Sequence, residues 1–286
     1  MIDVAIIGAG PAGLSAAINV ASRNRKPVVF GNKKETSWIY KAENVNNHLG
    51  MPNVTGEEMI NAFYAHAEQM EIDIREKRVL QILSMGSYYT LNVENEFVNA
   101  KTVIVTTGMQ KGKAIEGESE FIGKGVSYCA TCDGMLYRGK VVIVISETEE
   151  GIEDANFLSE ICEKVYFVQT KKLETENLSE KIEVLNGKVE RVVGDNVTRA
   201  VVMDGKEVLV NGVFFIKSSM PPDRLIAGIE MENNFIKVSR LMETNLQGLF
   251  SAGDCIGWPF QISNAIGDGL IAGQQAIRYI NANLEN

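Results

Sequence analysis

Six residues near the N-terminus limit the fold more than any others. Gly8-Ala9-Gly10-Pro11-Ala12-Gly13 follow Ile2–Ile7, a nearly continuous apolar run. A short run of this kind reads as a strand buried on both faces of a parallel sheet. Gly8 permits the tight turn, Gly10 lets backbone approach a ligand, and Gly13 lets the next helix pack on the strand. That helix, expected over 11–22 with Ala16, Ala17 and Val20 on its inner face, turns its positive N-terminal end toward an anion. Pro27–Phe30 supplies the next strand and completes a βαβ unit. The spacing suits a dinucleotide pyrophosphate. A tight strand–helix turn without a ligand is the other reading.

The chain has 286 residues, 45% of them apolar, enough for one large or two medium domains around a sizeable core. A net charge of −9 and a pI near 5.0 argue against nucleic acid as a partner. No apolar run is long enough to span a membrane. Residues 1–20 carry Asp3 and no basic residue, unlike a secretory leader. The four cysteines, Cys129, Cys132, Cys162 and Cys255, are too few for a disulfide scaffold, so a cytoplasmic setting is expected. No metal is expected, because His48 and His66 are the only imidazoles and lie far from the paired cysteines.

Further along, a helix is expected near 57–69, with Met59, Phe63 and His66 at helical spacing. Alternating strands fill 79–98, and 101–106 is a buried strand ending at Thr107-Gly108. The polar stretch 110–118 reads as a linker. A second α/β pattern follows, with a strand at 141–145, a helix near 152–162, a strand at 165–168 and β runs up to Ile216, closed by Pro221-Pro222. The last segment returns to a strand at 248–252, then Gly253-Asp254, then a helix over about 261–280. An aspartate at a strand end can accept hydrogen bonds from a sugar hydroxyl, or can simply cap the helix.

Cys129-Ala130-Thr131-Cys132-Asp133-Gly134 places two thiols three positions apart with a carboxyl group beside the second. Such a pair can close into a small ring and reopen by thiol exchange. With the loop at 8–13, Thr107-Gly108, Ser251-Ala252-Gly253-Asp254 and Gln261, this segment resembles the low-molecular-weight thioredoxin reductase family along nearly the whole chain. The resemblance implies an α/β fold of two Rossmann-like three-layer domains of the FAD/NAD type, the second inserted into the first. The boundaries expected are 1–112 with 236–286 for the FAD domain and 113–235 for the inserted dithiol domain.

By the same resemblance FAD lies across the first domain. Gly8, Gly10, Pro11, Ala12 and Gly13 would hold its pyrophosphate, Gly253 and Asp254 its ribityl chain, and Gln261 and Ile262 the ring edge. Asn47, Val79, Thr107 and Gly108 complete the expected set. Asn47-His48-Leu49-Gly50 stands where the family has Asn-aromatic-Pro-Gly, so His48 faces either the flavin or ordinary packing. Cys132 would take electrons from the flavin, Cys129 would attack the disulfide of thioredoxin, and Asp133 would protonate a leaving thiolate. Cys162 and Cys255 read as buried small hydrophobes. The family is homodimeric and turns its dithiol domain on two linkers, here placed at 108–118 and 232–237.

One family feature is overwritten. The strand at 141–145 should run into a second glycine fingerprint, but the chain reads Ser146-Glu147-Thr148-Glu149-Glu150-Gly151. Carboxylates stand where phosphate should approach. The next strand ends Val168-Gln169-Thr170-Lys171-Lys172, without an arginine-rich grip for a 2′-phosphate. NADPH is therefore not the expected donor, and the chain is similar to the ferredoxin-dependent flavin thioredoxin reductases. Flavin suits that role, since it collects single electrons and delivers a pair. Ferredoxin, or a flavodoxin in its place, would dock on basic residues, for which Lys33, Lys34, Lys111, Lys113 and Lys124 are candidates. Three alternatives stay open: NADPH bound in a non-standard way, a dithiol oxidase using oxygen, and a non-enzymatic flavin scaffold.

Overall fold

The computed structural model describes residues 1–94, 96–109, 115–217 and 221–284. It divides into two compact units, one made of Met1–Gln110 with Pro221–Asn286 and the other of Lys111–Met220. The first segment carries β1 (Ile2–Ile7), α1 (Pro11–Ala21), β2 (Pro27–Phe30), α2 (Gly56–Gln69), β3 (Asp73–Arg75), β4 (Val79–Ser84), β5 (Tyr89–Val93) and β6 (Glu96–Val105). The second unit carries β7 (Val126–Ser127), α3 (Ala130–Asp133), β8 (Val141–Ser146), α4 (Glu150–Ile161), β9 (Lys164–Gln169) and β10 (Ile182–Val184). It continues with β11 (Val189–Gly194), β12 (Thr198–Met203), β13 (Lys206–Leu209) and β14 (Gly212–Ile216). The chain then returns to the first unit with α5 (Pro222–Leu225), β15 (Met231–Glu232), β16 (Phe235–Ile236), β17 (Leu249–Ser251) and α6 (Ile262–Asn283).

In the first unit the strand order is β3-β2-β1-β6-β5-β4. β6 is long enough to serve two neighbours on the edge opposite β1. Its first half pairs antiparallel with β5, and residues 103–105 pair parallel with β17. β17 thereby delivers residues 252–254 beside the end of β1, where the 8–13 turn begins. Val4, Ile6, Val29 and Ile104 point to one face of this sheet and meet α1 and α6. Those helices touch backbone to backbone: a Cβ on Gly269 would lie 2.1 Å from the Ala12 carbonyl oxygen, and one on Gly273 2.8 Å from that of Ala16. Small residues four apart on both helices make this approach possible. α2 starts on a reciprocal Thr55–Glu58 capping box. It buries Met59, Ile60 and Ala67, while His66 is exposed.

The second unit shows why alternation matters in a buried strand. Val142, Val144, Phe214 and Ile216 pack under α4. Ile143, Ile145, Val213 and Phe215 pack against Val192, Val201 and Met203 of the antiparallel sheet β11-β12-β13. A helix layer, the parallel sheet β10-β9-β8-β14-β7 and a second sheet follow from that period of two.

The return to the first unit comes at Pro221, earlier than the 236 expected from sequence. Residues 221–235 belong to the first unit because α5 is fastened there. Ile226 bridges Ile82 of β4, and both Leu225 and Ile226 are buried. The segment 232–237 is therefore no crossing: β15 and β16 pair there as a hairpin. Residues 110–114 of the first expected linker, 108–118, lie outside the described residues, Lys111 and Lys113 among them. Among the described residues no helix is long and apolar enough to cross a membrane.

Candidate active site

The turn after β1 is built for close approach. Gly8 has φ +117°, and a Cβ there would fall 2.2 Å from the Thr106 carbonyl oxygen. A Cβ on Gly13 would fall 1.9 Å from the Gly8 carbonyl oxygen. Both glycines are required by the protein's own packing. Gly10 differs: its φ is −83°, and a Cβ would meet nothing within 4 Å. No side chain caps α1 at Gly10, and its first turn, Pro11 to Leu14, holds no acidic residue. An uncapped helix end with open space above a glycine fits the pyrophosphate of a dinucleotide.

Thr106, which the sequence reading passed over, locks this turn from below. Its hydroxyl oxygen lies 3.0 Å from the carbonyl oxygens of both Ile7 and Gly8. The neighbouring Thr107 and Gly108 backbone meets the Cys255 thiol, which is fully buried against Ser251. Gly253 has φ +78° and lies against Ala12, bringing the Gly253-Asp254 turn to α1. Asp254 is half-buried, and its pKa is raised by burial and then by the facing Asp268 carboxylate. Asp268 is also raised by burial, although the Gly253 N–H and the Asn264 amide hydrogen-bond to it. The turn thus carries a costly carboxylate that is suited to accepting hydrogen bonds from a polyol.

The 45–50 loop closes on the start of α6. Asn47 donates from Nδ2 to Gln261 Oε1 at 3.0 Å, and His48 Nδ1 lies 3.2 Å from Ser263 Oγ. The His48 ring also packs edge-on against Phe63, with centroids 5.9 Å apart. Asn47, Gln261 and Ile262 are therefore brought together, while Val79 is buried at the head of β4. Leu49 is 97% exposed and Trp258 84%.

In the second unit Cys129 and Cys132 form a disulfide across the first turn of α3. Cys129 is the N-cap residue, and its Sγ accepts the Cys132 N–H at 3.1 Å. That bond favours negative charge on Cys129 when the pair is open. Cys132 is exposed and Cys129 half-buried. Ser127, which no sequence motif singled out, arranges the group. Its hydroxyl donates to Asp133 Oδ2 at 2.7 Å and accepts the Cys129 N–H at 3.0 Å. Met135 and Leu136, just beyond, are 56% and 68% exposed. The remaining thiols are not thiolates at neutral pH: burial pushes Cys162 up to about 11 and raises Cys255 as well. Among the described residues no three His, Cys, Asp or Glu side chains cluster as metal ligands.

The loop after β8 turns several of its own donors inward. Ser146 Oγ accepts the Thr148 N–H at 3.1 Å and donates to the Thr148 carbonyl at 2.6 Å. The N–H groups of Glu147, Gly151 and Ile152 are bonded to the carbonyls of Ile216, Thr148 and Glu149. A Cβ on Gly151 would fall 2.1 Å from Ser146 Oγ, so this glycine serves the protein's packing. α4 begins with Glu149, Glu150 and Glu153 around its positive end. Lys171, one of the two lysines left after β9, pairs with Glu147 at 3.4 Å. Lys34 is likewise engaged, with Asn61 at 2.7 Å, whereas Lys33 and Lys124 are exposed.

The sequence model of pyridine nucleotide-disulphide oxidoreductases matches residues 2–269. The chain is 31% identical to the thioredoxin reductase of Mycoplasma pneumoniae over 94% of its length and 92% of that protein. It is 37% identical to a crystal structure of a ferredoxin-flavin thioredoxin reductase from Clostridium acetobutylicum, covering 98% of each chain with a TM-score of 0.93. A second structure described in the same words, from the same organism, gives 39% identity, coverage of 100% and 99%, and a TM-score of 0.87. With the family model matching residues 2–269 and a thioredoxin reductase 31% identical over nearly the whole chain, the protein belongs to the pyridine nucleotide-disulphide oxidoreductase family, in its low-molecular-weight thioredoxin reductase branch.

Proposed function

We propose that the protein is a flavin-dependent disulfide reductase that takes electrons from reduced ferredoxin and passes them through the Cys129–Cys132 pair to thioredoxin. The contrast between the two strand–helix turns carries the proposal. The turn at 8–13 is open above Gly10 with no acidic residue in the first turn of its helix, while the turn at 146–151 bonds the N–H groups of Glu147, Thr148, Gly151 and Ile152 internally and gathers carboxylates at its helix start. The Clostridium acetobutylicum proteins, described as ferredoxin-flavin thioredoxin reductases, support this donor and acceptor.

Gly8, Gly10, Pro11, Ala12 and Gly13 would hold the FAD pyrophosphate at the start of α1. Gly253 and Asp254 would hold the ribityl chain, and Asn47, Val79, Thr107, Gly108, Gln261 and Ile262 would line the rest. FAD, when bound, supplies a ring that accepts single electrons and releases a pair. Cys132, the more exposed of the two cysteines, would take electrons from the flavin. Opening the disulfide leaves Cys129 as a thiolate under the Cys132 N–H, ready to attack the partner disulfide. Asp133, held by Ser127, delivers a proton to a departing sulfur. Met135 and Leu136 offer the partner an apolar contact beside the pair. A homodimer in the cytoplasm, fed by ferredoxin or a flavodoxin docking near Lys33 or Lys124, completes the reading.

Thiol counting on thioredoxin under argon tests the proposal. Reduced ferredoxin with catalytic enzyme is expected to yield two thiols per thioredoxin, and NADPH none at a comparable rate. Equal yields and rates with NADPH would overturn it.

A further inference from the structure

The second unit contains a buried carboxylate that the chemistry above leaves unused. Glu118 is 1% exposed, and its carboxylate accepts hydrogen bonds from three segments of the chain. Its Oε2 accepts the Ile115 N–H at 2.8 Å, its Oε1 the Tyr128 hydroxyl at 2.5 Å, and the same Oε1 the Lys217 ammonium at 2.5 Å. Lys217 is itself 13% exposed and lies over the Phe215 ring.

The identity of those segments gives the network its meaning. Ile115 is the first described residue of the second unit and Lys217 the last. Tyr128 immediately precedes Cys129. The incoming segment is also pressed onto β11. Val192 donates its N–H to the Glu116 carbonyl at 2.8 Å, and a Cβ on Gly117 would fall 2.2 Å from the Val192 carbonyl oxygen. Lys217 directly follows β14, every residue of which is buried. One carboxylate thus ties the chain's entry, the chain's exit and the dithiol strand to a single point. Buried ion pairs are weak devices for stability, since apolar replacements often do as well, and in some proteins they serve instead to fix a unique arrangement.

We propose that Glu118 is a positioning residue for disulfide exchange. With Lys217 it keeps the described ends of the unit, Ile115 and Lys217, paired with Tyr128, so that the Cys129–Cys132 segment is held in one orientation within the second unit. The proposal rests on the disulfide-reductase reading of that pair. Losing the tie spreads the dithiol over unproductive orientations and lowers the rate without weakening partner recognition.

The test uses the FAD-loaded full chain with photoreduced flavin, so that it does not depend on ferredoxin being the donor. The E118Q/K217M variant keeps an acceptor for Ile115 and Tyr128 and leaves no unpaired buried charge. It is expected to melt near the wild-type temperature and to lose about tenfold in kcat toward thioredoxin, with KM within about twofold. The amides of Ile115 and Glu118 are expected to exchange hydrogen faster, in the presence or absence of flavin. K217R, which keeps the cation, is expected to retain kcat within about twofold. Wild-type kcat in any folded variant lacking the Lys217 charge, K217M alone included, would overturn the proposal. Equal losses in K217R and E118Q/K217M would also overturn it, because that pattern belongs to packing alone. A wild-type enzyme that reduces no disulfide at all would instead sink the reductase reading, while the exchange measurement would still report on the tie.

Discussion

The turns at 8–13 and 146–151 occupy the same place in the fold, where a parallel strand runs into a helix, and they differ in what the helix end is left to bind. At the first turn two glycines are demanded by the protein's own packing and a third, Gly10, is not. Nothing caps α1. At the second turn Ser146 and the loop carbonyls take the N–H groups, and three glutamates gather at the start of α4. A helix N-terminus favours an anion wherever it occurs. In the first turn that preference is left for a ligand, and in the second it is satisfied by side chains of the same chain. The strand, the helix and the layer packing therefore do not depend on a ligand at the helix end.

The largest effect is expected at the dithiol, which the second unit keeps although its turn is closed. Cys129→Ser should retain flavin and lose thioredoxin reduction by about three orders of magnitude or more. Full turnover in that variant, measured by thiol release, would show that the second unit has no redox task.

Next in size is Gly10→Leu. Its Cβ enters open space, so the apoprotein should melt within about 2 °C of wild type while flavin affinity falls about a hundredfold. Fluorescence titration with FAD checks the second part. Gly13→Ala sharpens the contrast, since its Cβ meets the Gly8 carbonyl and should destabilise the apoprotein itself by about 1–3 kcal/mol.

Asp254→Asn should produce a smaller, two-sided effect. Burial and Asp268 raise the Asp254 pKa, so the folded chain holds this proton more tightly than the unfolded one. Folding is then helped at acid pH, and that help is lost as pH rises through the raised pKa. Removing the charge should raise the apoprotein melting temperature at neutral pH by a few degrees, an advantage that vanishes in acid, and should weaken flavin binding about tenfold. Identical melting curves across pH would argue that Asp254 carries no cost in the apoprotein.

The smallest effect concerns the carboxylates at the second turn. Glu149→Gln and Glu150→Gln should each cost about 0.3–1 kcal/mol or less as helix-end charge is lost. Neither should confer use of NADPH, because the N–H groups of Glu147, Thr148, Gly151 and Ile152 stay bonded within the unit.

The sequence carried the first turn, the dithiol and the overwritten loop because each is a contiguous string whose chemistry is local. Glycine spacing, cysteine spacing and charge each report on a few consecutive residues. Thr106, Ser127 and Glu118 were invisible for the opposite reason. Thr106 acts across β1, Ser127 closes a knot of hydrogen bonds around Cys129 and Asp133, and Glu118 joins segments as far apart as Ile115 and Lys217. A serine two residues before a cysteine, or a lone glutamate in a polar stretch, has no periodic signature. The return of the chain at Pro221 was missed similarly. Pro221-Pro222 reads as an end of one region, whereas the burial of Leu225 and Ile226 makes it the start of α5 in the other unit.

Stopped-flow absorbance of the FAD-loaded protein under argon tests the central claim most directly, with NADPH and reduced ferredoxin mixed in separately. The expected result is bleaching of the flavin band by ferredoxin at turnover speed and none by NADPH on that timescale. Bleaching by NADPH at turnover speed would contradict the claim, for it would mean that the turn at 146–151 admits a nucleotide.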